Sequence, residues 1–414
     1  MHAGIEALTF YCPHFYLDLK VLAQQRNVPY EKYHRGIGQE RMAITGPDED
    51  VVTMAANAAA AALRGIDVRT LDSIIFATES GVDQSKSAAI YVHQLLGLPA
   101  GCKAFEVKQA CCGSTMALQM ALGQVALRPD RKTLIVASDI ARYGFGTSGE
   151  PTQGAGAIAM VISAQPRLLV IDPESGSFTE DVMDFWRPNY LDQAIVDGKF
   201  SMKMYLKALT YSWQEYKAES GRQFSDLDRF AYHLPFTRMA EKAHAHLAKL
   251  EQVDNLSVAE VEERLRDSLH FSRLVGNCYT ASLYVSLLSL LENSRDDLTG
   301  KRIGLFSYGS GCVGSFFSGV VPPGYEDHLH RVEHYRLLTE RTELSWPQYL
   351  AFYQHEMPTD GSQFWNPVSR TGGYRLAGVD GHRRLYAPVP ANPVSQMVSN
   401  TAPPATNKLT AIGD

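Results

Sequence analysis

Short apolar runs of the kind a buried strand needs alternate with helix-like stretches along most of this chain, and that alternation limits what it can fold into. "DSIIFATES" (72–80), "KTLIVASDIA" (132–141), "GAGAIAMVIS" (154–163) and "KRIGLFSYGSG" (301–311) are bounded by polar or glycine-rich turns, as strands covered on both faces are. "SKSAAIYVHQLLGL" (85–98) reads as a helix with Ser85 as its N-cap and Gly97 as its stop. "NCYTASLYVSLLSLLEN" (277–293) reads as another. The interleaving predicts an α/β architecture. "GAGAIAMVIS" and "PRLLVIDPESGSF" (166–178) are expected to pair as successive strands about a turn at Gln165 and Pro166, and "VGSFFSGVV" (313–321) to add a further strand. The charges of "VAEVEERLRDSLHFSRLVG" are read as the solvated face of a helix. A strand, turn and helix in the first half are echoed by a strand and glycine turn in the second, which fits two similar halves.

The chain has 414 residues, 45% of them hydrophobic and 20% charged, enough apolar material for a large core. A formal net charge of −6 gives no global basic field, which argues against nucleic acid as a partner. No apolar run approaches the roughly 20 residues of a membrane span, and the N-terminus lacks a signal-peptide pattern. The six cysteines show neither CxxC pairs nor metal-ligand spacing, so free thiols, no metal and a reducing cytoplasm are expected. From about Ala387 the sequence turns to Pro, Ser, Thr, Asn and Ala, a composition that predicts a disordered tail over 387–414.

Polar residues cluster where strands should end. In "KQACCGSTMALQMA" (108–121) two cysteines stand where a strand turns into a helix. Unpaired backbone N–H groups and the helix dipole would favour a thiolate there, although both cysteines would also serve as small buried hydrophobes. Glu79 is placed at the carboxyl end of a strand, where open α/β sheets bind ligands; a helix cap or surface acid is the alternative. His233, before Leu234 and Pro235, suits a general acid or base or a core position. Arg238, Lys242 and His246 recur at i, i+4 spacing, so one helix face could grip phosphate or simply meet solvent. Asn277 beside Gly276 could donate to a carbonyl or cap a helix. Ser310, between two glycines, fits half of an oxyanion hole or a tight turn. Cys, His and a carboxylate suit nucleophilic catalysis, and spacing does not separate hydrolysis from carbon–carbon bond formation.

The ordered stretches "GIEALTFYCPHFYLDL", "GIGQERMA", "DEDVVTMAANAA", "TESGVDQSKS" and "KQACCGSTMALQMA" resemble 3-hydroxy-3-methylglutaryl-CoA (HMG-CoA) synthases of the bacterial mevalonate type. So do "DIARYGFGTSGEPTQGAGAIAM", "DFWRPNYLDQAIVDGKFS", "HLPFTRMAEKA", "GNCYTASLYVSLLSLLEN" and "FSYGSGCVGSFF", which carry the likeness to about Pro388. The resemblance implies a thiolase-like fold: two similar βαβ-rich halves in a five-layer αβαβα body, divided as 1–170 and 171–386, working as a homodimer. It implies acetyl-CoA and acetoacetyl-CoA as substrates and no separate cofactor. Cys111 would be the acetylated nucleophile, Glu79 the acid/base acting on the acetyl methyl, and His233 the general acid for acetoacetyl-CoA. Asn277 and Ser310 would contact the acyl portion, with the backbone N–H groups of Cys111 and Ser310 forming an oxyanion hole. Tyr143, Thr152 and Ser201 match substrate-contacting positions, and Arg238 and Lys242 match basic residues near CoA phosphates. Cys112 departs from the family, where this position is usually aromatic, and Arg238 stands where lysine is common.

The nearest rival is the sister enzyme that performs the same aldol chemistry on acyl carrier protein in polyketide β-branching; "GIGQERMA" and "GEPTQGAGA" speak for the mevalonate type. A ketoacyl synthase would use Cys–His–Asn or Cys–His–His rather than Cys–His–Glu. A cysteine hydrolase lacks a local protease signature here, and a binding scaffold would not need every catalytic position filled.

Overall fold

The computed structural model describes residues 2–191, 193–253, 256–369 and 372–389. The first half contributes strands β1 (Gly4–Tyr11), β2 (Leu71–Ala77), β3 (Lys103–Val107), β4 (Lys132–Ala141) and β5 (Gly154–Ser163), ordered β1-β5-β4-β2-β3. The second contributes β6 (Leu169–Thr179), β7 (Arg229–Tyr232), β8 (Arg302–Gly309) and β9 (Val313–Val320), ordered β6-β9-β8-β7. Both run antiparallel, antiparallel, then parallel. The fold repeats itself. A short ladder, Gly4 to Val170 and Ile5 to Leu169, joins the halves into one nine-stranded sheet. The two apolar runs expected to pair with each other do not, because β1 lies between β5 and β6.

Among the helices of the described residues, these cover the sheet: α1 (Val51–Ala62), α2 (Ala88–Leu95), α3 (Gly113–Leu127), α4 (Gly198–Ser220), α5 (Met239–Leu250), α6 (Val258–Val275) and α7 (Ser282–Asn293). Strand alternation divides the work. Ile74 and Phe76 of β2 pack with α1 and α2, while Ile75 and Ala77 face the opposite way, toward α3 and α7. Phe306 and Phe316 meet α4 and α5 on the outside of the second half, and Leu305 and Phe317 join α3 and α7 inside. The result is helix, sheet, helix, sheet, helix: the expected five layers, with α3 and α7 in the middle.

Three local expectations shift. The N-cap of α2 is Ser87, whose side chain accepts from Ala89 N, while the backbone N–H of Ser85 donates to Asp83. Ala110–Leu127 is long and apolar enough to cross a membrane by length and composition, contrary to the expectation that no run qualifies, but much of it lies in the middle layer. Ala387 and Pro388 belong to a strand, Arg383–Pro388, paired with Tyr374–Asp380. The expected tail therefore does not begin at 387, and its bulk lies outside the described residues. This hairpin returns to the first half, where Tyr374 and Tyr386 pack against the α1 and α2 core.

Candidate active site

Five residues take the chain from β3 to α3. Ala110 turns the corner with φ +43°, Cys111 follows, and Cys112 occupies the N-cap position of α3. The two cysteines part company here. Cys112 is fully buried, its backbone packed so closely on Gly309 that a Cβ at that glycine would come within 2.7 Å of Cys112 N. Cys111 belongs to a small cluster with Ala141, Tyr143, Phe185 and Tyr279, and its Sγ donates to Glu79 Oε1 at 2.8 Å. The expected lowering of the Cys111 pKa by the helix is reversed. Burial, the Glu79 charge and hydrogen bond, and the Asp139 charge push the thiol well above its ordinary value, because one helix terminus does not offset desolvation beside two carboxylates.

Glu79 stands two residues beyond β2, at the strand end where the sequence places it. Its backbone is pinned by Asp139 of β4, a fully buried acid that pattern reading passes over. Asp139 Oδ1 accepts from Glu79 N at 2.8 Å, Ser80 N at 3.0 Å and Thr78 Oγ1 at 2.8 Å. Its Oδ2 accepts from Thr280 N at 3.0 Å and from the Thr280 hydroxyl, tying the Glu79 turn to the second half. Burial first, and Asp139 second, push the Glu79 carboxyl up to about 8. The signal available was an acid near the end of an otherwise apolar strand.

His233 follows β7 directly. Its N–H donates to Phe306 O at 2.8 Å and its carbonyl accepts from Tyr205 Oη at 2.9 Å, so the backbone on both sides of the ring is fixed. Only 2% of the residue is exposed, and burial holds the imidazole down at about 3. It is a neutral donor and acceptor at ordinary pH. Asn277 is not the N-cap of α7, a position held by Ala281. Its Oδ1 accepts from Tyr279 N and Ser282 Oγ, each at 2.9 Å, which holds the turn leading into α7, and its Nδ2 donates to a phenol oxygen rather than a carbonyl, Tyr143 Oη at 2.9 Å. The approach needs glycine at 276, where φ is +89° and a Cβ would come within 2.1 Å of Gln153 O.

Ser310 lies in the β8–β9 turn and, with Glu79, Ala110 and Tyr279, lines a recess of about 1340 Å³. A second acid missed in the sequence holds this turn. Asp184, fully buried, accepts from Gly311 N at 2.8 Å, Tyr308 Oη at 2.7 Å and Ser201 Oγ at 2.8 Å. Ser201 is thus linked to the Ser310 turn through Asp184. Thr152 turns its hydroxyl to Gly149 O at 2.8 Å and meets Asn277 N through its carbonyl at 3.2 Å.

Arg238 and Lys242 are less alike than their spacing suggests. Arg238 is the N-cap residue of α5 rather than a residue of its face, and its guanidinium pairs with Glu241 at 2.9 Å and Glu262 at 3.3 Å. Lys242 reaches Met202 Sδ at 3.4 Å and lies over the Phe236 ring. His246 is bonded to Thr210 at 2.8 Å. The structure brings Cys111, Glu79, Tyr143 and Asn277 into one connected group, while the side-chain partners of Arg238 and Lys242 lie outside that group. Among the described residues no cluster of His, Cys, Asp and Glu has the arrangement of a metal site.

A thiol facing a carboxylate at the seam of two similar half-sheets is matched by two family models. Residues 1–166 match the hydroxymethylglutaryl-coenzyme A synthase N-terminal model, and residues 169–257 and 248–388 match the C-terminal one. The chain belongs to the hydroxymethylglutaryl-CoA synthase family. The hydroxymethylglutaryl-CoA synthase of Enterococcus faecalis is 44% identical over 363 residues, covering 88% of this chain and 94% of that protein. The polyketide biosynthesis 3-hydroxy-3-methylglutaryl-ACP synthase PksG of Bacillus subtilis is 35% identical, covering 83% and 87%. A solved HMG-CoA synthase complexed with CoA superposes with a TM-score of 0.89 at 38% identity, covering 94% of this chain and 100% of the other. Membership in the family carries the thiolase-like fold with it.

Proposed function

We propose that this protein condenses acetyl-CoA with acetoacetyl-CoA to give HMG-CoA and free CoA. The observation that carries the reading is the 2.8 Å contact between Cys111 Sγ and Glu79 Oε1, in a site to which both halves contribute. Cys111, once deprotonated, attacks the acetyl thioester carbonyl; the C–S bond to CoA breaks and CoA leaves with a proton. Glu79 takes a proton from the acetyl methyl, and the resulting carbon nucleophile attacks the ketone of acetoacetyl-CoA. His233 donates the proton that quenches the new alkoxide, acting as a neutral imidazole, and regains one as Glu79 gives up the proton it took from the methyl group, so both residues return to their starting state. Water then cleaves the enzyme thioester, which returns the thiol and releases the product as a carboxylate. The backbone N–H groups of Cys111 and Ser310 steady the oxyanions. Asn277, Tyr143, Thr152 and Ser201 border the acyl portion, and Arg238 and Lys242 attract the phosphates of CoA.

The reading extends to a cytoplasmic homodimer on the mevalonate route to isoprenoids, with CoA thioesters as substrates and no other cofactor. The test is whether purified protein consumes acetoacetyl-CoA only when acetyl-CoA is present, with one acetyl group recovered on the Cys111 peptide. Acetyl on Cys112, or consumption without acetyl-CoA, would sink it. The likeness to the Bacillus subtilis carrier-protein synthase supports a second reading. Turnover with acetyl-acyl-carrier protein and none with acetyl-CoA would select that one.

A further inference from the structure

The segment from Tyr143 to Gln153 connects β4 to β5, carries glycines at 144, 146 and 149, and closes through local turns, with Glu150 N donating to Thr147 O at 3.2 Å and Gln153 N to Glu150 O at 3.1 Å. A buried carboxylate ties these turns to distant parts of the chain. Glu150 is 1% exposed, and a buried carboxylate costs several kcal/mol unless it is paired and hydrogen-bonded. Arg26 grips it with both arms, Nε to Oε2 at 2.7 Å and Nη2 to Oε1 at 2.8 Å. Gly146 N adds a bond to Oε2 at 3.1 Å, and Tyr349 Oη one to Oε1 at 3.1 Å. The guanidinium lies 4.0 Å from the Phe145 ring centroid and 5.1 Å from that of Trp346. Three segments distant in the chain, around positions 26, 150 and 349, meet at one carboxylate.

The knot reaches the reacting thiol through Tyr143. Gly149, next to Glu150, backs directly onto Tyr143, and a Cβ there would lie 2.8 Å from Tyr143 Cβ. Gln153 Oε1 accepts from Tyr143 N at 2.9 Å. Tyr143 in turn packs in the Cys111 cluster, its ring centroid 5.9 Å from those of both Phe185 and Tyr279. We propose that Arg26, Glu150 and Tyr349 are positioning residues for the reaction, holding Tyr143 against Cys111 through the segment from 143 to 153. The inference rests on the condensation proposed above and adds residues that touch no reacting atom.

Glu150→Gln keeps the shape and leaves Arg26 able to reach water, so it is the first variant; Arg26→Lys, which keeps the charge and loses the fork, carries the same measurements if Glu150→Gln does not fold. Each is made alone and combined with Tyr143→Ala. Glu150→Gln is expected to lower kcat by about tenfold to a hundredfold, with a much smaller change in KM for acetyl-CoA. Combined with Tyr143→Ala it should cost little beyond Tyr143→Ala alone, because both changes remove the same placement. Multiplying effects, or parental kcat in Glu150→Gln, would overturn the proposal. A second readout needs no substrate: the rate at which iodoacetamide alkylates Cys111, followed by peptide mapping. Glu150→Gln should raise that rate in the parent and leave it unchanged in the Tyr143→Ala background; equal changes in both backgrounds would overturn the proposal. A parent that makes no HMG-CoA defeats the condensation reading, while the alkylation comparison still decides the role of the knot.

Discussion

Glu79 and Cys111 are two weak acids sharing a hydrogen bond, and their surroundings push both upward. The pair titrates as a unit, with Glu79 the first to ionise, near 8. Below that pH the carboxyl is protonated and cannot take a methyl proton, so condensation should rise with pH through about 8. Asp139→Asn removes the charge that is the second cause of the shift, and the rising limb should move to lower pH. A pH profile of kcat in both proteins tests this, and an unmoved limb would assign the shift to burial alone. The basic residues near the start of α5 invite a different comparison. Arg238 is occupied by Glu241 and Glu262, whereas Lys242 is in no ion pair among the described residues. Lys242→Ala should therefore raise KM for acyl-CoA at low salt with little change in kcat. Arg238→Ala should move KM less and lower Tm, because Glu241, itself mostly buried, loses its nearest cation. The reverse ranking of KM effects would return the phosphate contact to Arg238.

Among elements, the C-terminal hairpin is held by an acidic run, Asp48 to Asp50, beside the start of α1. Asp48 accepts from Arg375 Nε at 2.9 Å, and Asp50 accepts from Arg384 Nη1 at 3.0 Å and Tyr386 Oη at 2.6 Å. Between them Glu49 is 5% exposed and accepts from Tyr11 Oη at 2.7 Å. Burial pushes it up from 4.5 to about 8. The folded chain therefore keeps a proton that the unfolded chain loses above about 4.5, and stability should fall as pH climbs from about 4.5 to 8 and level off beyond. Glu49→Gln should flatten that fall by roughly 1–4 kcal/mol; thermal unfolding of both proteins at pH 5 and pH 8 measures it, and parallel curves would refute it. Removing residues from Gly372 onward should destabilise strongly, since Asp48 and Asp50 would be left buried without their cations. These contacts also explain the limits of sequence reading. Composition marks Ala387 as a boundary, yet Ala387 pairs with Arg375, Pro388 with Tyr374, and Val389 N donates to Gly373 O at 2.8 Å, pairing that composition does not register. Periodicity located "GAGAIAMVIS" and "PRLLVIDPESGSF" as strands but not the insertion of β1 between them, because pairing partners are chosen over long range. The strand-end positions of Glu79 and of the cysteine pair were legible because strand ends are local features, whereas the choice of Cys111 over Cys112 came from the family resemblance. Asp139 and Asp184 were not legible, because a buried acid is recognised by the donors folded around it.

At the scale of the whole molecule, the site exists only where the halves meet, and so does much of the core. One continuous cluster takes Ile75, Ile135 and Ile158 from the first half, Ile303, Leu305 and Phe317 from the second, and Ala117, Leu118, Leu283 and Leu287 from the two middle helices. Asp139 adds a polar tie at the same seam, reaching across to Thr280. Each half-sheet has an outer helical layer of its own but shares the inner one, so neither can bury its inner face alone. Burial on the order of 25 cal/mol per Å² would be forfeited over that whole face, more than a marginally stable domain can lose. The repeat in topology therefore should not translate into two independently folding units. Unfolding of the intact chain in urea should be one transition, with far-UV circular dichroism, loss of activity and exposure of Cys111 to alkylation all at the same midpoint. Residues 1–166 expressed alone should aggregate or give a broad transition with exposed apolar surface. A monomeric fragment with a sharp transition, or separated midpoints in the intact chain, would show that the first half carries a sufficient core without α7.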